Sequence, residues 1–89
     1  MMDDTTQLLA ERATTHGRFE YNAHTGQALR NAMRYSVGPG WGSLSDVQRE
    51  ALDMIAGKIS RILSGQGAFV DHWDDIAGYA KLAANGGQL

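Results

Sequence analysis

The chain is predicted to be all-α, a single helical domain over 1–89 with about four helices in a small bundle. Three observations lead there. Apolar residues recur three and four apart along long stretches of the chain. No stretch of useful length alternates apolar and polar residues with the period of two that a half-buried strand needs. Turn formers fall between the helical stretches, at Gly17, at "SVGPGWGS" (36–43) and at "SGQGA" (64–68).

The first helix is expected from Thr5 to about Thr14, with Asp3 or Asp4 accepting from its free N–H groups and Gly17, after His16, ending it. The second runs from Phe19 to about Arg34, with Phe19, Ala23, Leu29, Ala32 and Met33 as its apolar stripe. Gly26 costs that helix roughly 1 kcal/mol relative to alanine, so "HTG" (24–26) is a potential break. "SVGPGWGS" then reads as a loop, pinned to the core by Trp41.

The third helix opens on a capping box, Ser45 with Gln48 three residues on. On a helical wheel Leu52, Ile55, Ala56, Ile59, Ile62 and Leu63 share one face, and Glu50, Asp53, Gly57 and Arg61 lie opposite. The fourth places Phe69, Trp73, Ile76, Ala77, Ala80, Ala83 and Ala84 on an apolar face. Asp71, Asp75, Gly78 and Leu82 make a second, narrower one. The last two helices should form an antiparallel hairpin around Ile55, Ile59, Ile62, Trp73, Ile76 and Ala80. Asp71, Asp75, Tyr79 and Leu82 lie off that stripe and are the predicted partner contact, whether for another protein or for a second copy in a homo-oligomer. Gly57 and Gly78 interrupt good helical patterns, which points to close helix packing at both.

Composition narrows the function classes. Apolar residues make up 43% and charged residues 20%, ordinary for a globular domain, and the formal charge is −2. Eight Lys and Arg residues are spread singly, with no basic stripe, which argues against nucleic-acid binding. There are no cysteines, so neither a disulfide nor a thiolate zinc site is available. No apolar run approaches the length of a membrane span, and the acidic start "MMDDTTQLL" lacks the basic opening of a secretory signal. A cytoplasmic protein is expected.

Two constellations could carry chemistry. Glu50 with Asp53, and Asp71 with Asp74 or Asp75, present carboxylates three or four apart on neighbouring helices. Oxygen ligands on facing helices suit magnesium, which could bridge to the phosphates of a nucleotide. Lys58 and Arg61 could grip such a phosphate. Against this, acids favour the first turn of a helix because of the macrodipole, and Arg61 could pair with a carboxylate of the last helix. The weight falls on structural or contact roles. His16, His24 and His72 show no metal-ligand spacing, and "GPGWG" lacks the Lys-Ser/Thr of a phosphate-binding loop.

Taken together, "LLAERATTHGRF", "LSDVQREALDMIAGKISRIL" and "DHWDDIAGYAKLA" resemble an uncharacterised family of small proteins of tailed phages and prophages, over about Leu8 to Leu82. "KISRI" followed by "DDIAGYA" is distantly similar to MazG-like all-α nucleotide pyrophosphohydrolases. That likeness implies magnesium held by Glu50, Asp53, Asp71 and Asp75, phosphate contacts from Lys58 and Arg61, and a dimer or tetramer. The pattern departs where the superfamily has a third acid beside Glu50: Arg49 stands there. The loss of a ligand favours a binding descendant. The phage resemblance implies an accessory protein of the infected cell's cytoplasm that inhibits or modulates a host protein, of the counter-defence type (for example anti-CRISPR). The other reading is a nucleoside triphosphate pyrophosphohydrolase, or a nucleotide-binding relic of one.

Overall fold

A capping box starts the central helix of the molecule. Gln48 N–H donates to Ser45 Oγ at 3.1 Å, and Ser45 N–H donates to Gln48 Oε1 at 2.9 Å, so two backbone donors with no intrahelical partner are satisfied reciprocally. From there the helix runs Asp46–Arg61. It is the fourth of five in the computed structural model, which describes residues 4–9 and 18–88. In chain order these are α1 (residues 4–9), α2 (Phe19–Arg34), α3 (Gly40–Ser43), α4 (Asp46–Arg61) and α5 (Val70–Ala84). Among the described residues there is no strand. No helix among them is long and apolar enough to cross a membrane.

The expected first helix is helical over residues 4–9; its end near Thr14 and the stop at Gly17 lie outside the described residues. The second helix has the predicted span, and "HTG" does not break it. Gly26 is the buried point at which α2 crosses α4: a Cβ there would stand 2.9 Å from Arg30 Nη1 and 3.4 Å from Ser60 Oγ. The propensity cost is offset by the close approach. The glycine-rich loop contains one further turn of helix, α3, centred on Trp41. After Arg61 the chain continues as a wider π-type turn, Ile62–Gln66, which breaks at Gly65. Its φ of +117° is a conformation that glycine adopts without a side-chain clash.

α4 is the shared wall of the bundle, with α2 on one side and α5 on the other. α2 runs antiparallel to it: Asn22 and Gly26 meet Ser60, and Arg30 and Arg34 meet Asp53. α5 runs antiparallel to it as well, with Asp75 against Lys58 and Gly87, just past the helix, against Val47. The predicted hairpin of the last two helices is present.

Its interior differs from the wheel. Ile55, Ile59, Ile62 and Ile76 are half-buried as expected, but Trp73, Ala77 and Ala80 are exposed and Leu63 is largely in solvent. The side of α5 toward α4 carries His72, Asp75, Ile76, Tyr79, Leu82 and Ala83 instead. His72 is the largest fully buried side chain among the described residues, packed edge-on against Phe69 with ring centroids 4.9 Å apart. The alanines explain the rotation. Ala77, Ala80 and Ala84 share the outward side and bury little area each, whereas Ile76, Tyr79 and Leu82 on the other side have more apolar area to bury, so that side turns inward. The Lys58–Asp75 ion pair lies at its edge.

Candidate functional site

The magnesium reading requires the carboxylates of two helices to converge, and the structure separates them. Asp53 faces α2: Arg34 Nη2 reaches its Oδ2 at 3.2 Å, Arg30 Nε stands 4.0 Å from Oδ1, and Arg30 Nη2 donates to its backbone carbonyl at 3.1 Å. Gly26 and Gly57 make room for that guanidinium, since a Cβ on Gly57 would be 3.1 Å from Arg30 Nη2. Asp75 faces α4 from the other side and accepts from Lys58 Nζ at 2.9 Å. That hydrogen bond, with the charges of Lys58, His72 and Arg61 adding to it, holds the Asp75 carboxyl below its ordinary 3.8.

The register sets the distances between the acids. Lys58 is level with Asp75, and Asp53 lies five residues earlier, about 7.5 Å along the axis at the α-helical rise. Glu50 is exposed and level with the last turn of α5, whereas Asp71 is exposed at its first turn. Glu50, Asp53, Asp71 and Asp75 therefore share no centre, and no group of three or more His, Asp or Glu able to hold a metal occurs among the described residues. Of the expected phosphate grip, Lys58 is engaged by Asp75, and Arg61 is half-buried with its Nε enclosed and without a hydrogen-bond partner. The expected contact face divides too. Asp71 is exposed, Asp75 is tied to Lys58, and Tyr79 and Leu82 are half-buried on the side toward α4.

What the structure does build is a groove. Leu29, Ala32, Met33 and Ser36 from α2 and its end, Trp41 and Leu44 around α3, and Leu52 from α4 line a shallow, open depression of about 420 Å³. Ser36 contributes the one hydroxyl among those side chains, and it is spent on the Met33 carbonyl at 2.9 Å. Arg49 holds the wall. Its Nε donates to Trp41 O at 3.1 Å and its Nη2 to Gly42 O at 2.8 Å, so the guanidinium caps carbonyls at the end of α3 and fastens the loop to α4. The residue that stands where a further acid was expected is thus occupied in positioning Trp41. Sequence reasoning named Trp41 as the loop's anchor but missed Arg49 in that role. The available signal was a lone arginine one turn into a helix that follows a glycine-rich loop.

The chain matches no family model, no curated protein and no solved structure.

Proposed function

We propose that the protein acts by binding another protein rather than by catalysis. The observation that carries this reading is the groove of Leu29, Met33, Trp41, Leu44 and Leu52, held open by Arg49. Leu29, Ala32, Leu44 and Leu52 bring hydrocarbon alone and the Ser36 hydroxyl donates to the Met33 carbonyl, so few side-chain groups are there to orient a polar substrate. Apolar side chains of a protein suit it, because burial of apolar area needs no directional partner. Tyr35 and Val37, on either side of Ser36, are also exposed, at 82% and 104%. They extend the apolar surface beyond the groove.

The resemblance to small proteins of tailed phages supplies the setting: an accessory protein that inhibits or modulates a host protein in the infected cell, of the counter-defence kind, for example anti-CRISPR. The pyrophosphohydrolase reading would need Glu50, Asp53, Asp71 and Asp75 at one magnesium centre, and it has no geometric support of that kind. The test is a capture experiment from bacterial lysate with tagged protein, run beside Met33→Glu, which places a charge at a half-buried groove position. The expected result is a specific protein retained by the wild type and lost by the variant, with helical circular dichroism unchanged in both. Equal retention by the two overturns the groove as the binding site. Magnesium-dependent cleavage of nucleoside triphosphates by the purified wild type overturns the binding reading altogether.

A further inference from the structure

The outward face of α5 carries a stripe that nothing among the described residues covers. Val70, Trp73, Ala77, Ala80 and Ala84 are all exposed, Val70 at 60% and Trp73 at 54%. Their spacing is three, four, three, four, the repeat by which one helix seats its apolar residues against a second. Three of the five are alanine, which lets two helix backbones approach closely. Trp73 is prepared for contact: its indole N–H already donates to Gly67 O at 2.8 Å, so covering the ring strands no polar group. Gly78, beside the stripe, has open space where a Cβ would stand, so no packing within the chain requires a glycine there.

Charge indicates what covers the stripe. Asp74 and Lys81 flank it on one side, seven residues apart, both exposed, and neither takes part in an ion pair among the described residues. Seven residues along a helix is about 10 Å, too far for the two to meet within one chain. In an antiparallel pair of α5 helices crossing at Ala77, residue 74 of one chain lies beside residue 81 of the other, and the relation repeats by symmetry. The same alignment sets Trp73 against the small Ala80 and Ala84 of the other chain, so bulk meets space. We infer that α5 pairs with α5 of a second copy, antiparallel about Ala77, through the Val70–Trp73–Ala77–Ala80–Ala84 stripe and two Asp74–Lys81 ion pairs. This interface shares no residue with the groove and does not depend on the function proposed for it.

The test is sedimentation velocity of the full chain across a range of concentrations. A reversible dimer is expected, and Ala77→Glu, at an exposed position that glutamate suits, should leave helical content intact and shift the chain to monomer. Asp74→Lys and Lys81→Asp each replace two attractions by two repulsions and should weaken the dimer on the order of tenfold. The double variant, Asp74→Lys with Lys81→Asp, should recover wild-type association. A wild type that stays monomeric at the highest attainable concentration overturns the inference. So does a dimer that survives Ala77→Glu, or a double variant no tighter than the single ones.

Discussion

The two seams of α4 are built on different chemistry. Toward α2 the contact is polar and keyed: the Ser60 hydroxyl is shared between the Asn22 side-chain oxygen and the Gly57 carbonyl, Arg30 and Arg34 close on Asp53, and Gly26 gives the space. Toward α5 the contact is made by His72, Phe69 and isoleucines, with one ion pair, Lys58–Asp75, at its edge. A keyed polar seam fixes register, because each displaced group loses a specific partner. An apolar seam supplies most of the burial but tolerates rotation unless something locks it. In this molecule the Lys58–Asp75 pair adds one polar contact at its edge.

His72→Ala should break the apolar seam most, costing about 3 kcal/mol of unfolding free energy as a cavity opens against Phe69. Urea titration reads it, and an unchanged midpoint would mean that the ring is not part of the packing. Asp53→Ala acts on the polar seam and should cost about 1–2 kcal/mol, because half-buried Arg30 and the more exposed Arg34 lose their shared carboxylate. If Asp53→Ala instead stabilises the protein, the arginine pair is a solvated contact and the seam is not keyed. Gly78→Ala should raise stability by roughly 0.5–1 kcal/mol, since the position is helical, exposed and free of neighbours. A thermal melt that moves down rather than up would show that the glycine serves something outside the monomer.

The smallest effect is expected from Asp75→Asn, and it is best read against pH. The folded carboxyl titrates below its ordinary value, so its ion pair stabilises the fold above that value and the contribution fades as pH falls through the folded one. Wild type and variant should therefore differ in melting temperature at neutral pH and converge in acid below 3.8. A gap that widens in acid would reverse the assignment.

The parts of the fold carried by local signals were legible in the sequence. Ser45 and Gln48 announced the start of α4, and the glycines with Pro39 announced the loop. The ends of α2 followed from its stripe and its flanking residues. The inward side of α5 was misread because the alanines and Trp73 make a broad apolar stripe on the wheel, whereas the greater area of Ile76, Tyr79 and Leu82 lies on the other side with polar residues between. The partners of Asp53 were hidden for a different reason: Arg30 and Arg34 are 23 and 19 residues away, beyond the reach of any spacing rule. The groove was half legible. Trp41 was visible as an anchor, whereas the service of Arg49 to two loop carbonyls depends on a turn of helix that four residues of Gly, Trp and Ser do not declare.

Because α4 is common to both seams, the protection of its backbone against solvent exchange should be unequal to that of its neighbours. α2 or α5 can open alone and leave the other pairing in place, but Ala56 and Ser60 are the most deeply buried residues of α4. Their hydrogens exchange only when the whole bundle comes apart, so their rate reports global stability, while those of α2 and α5 each report one seam.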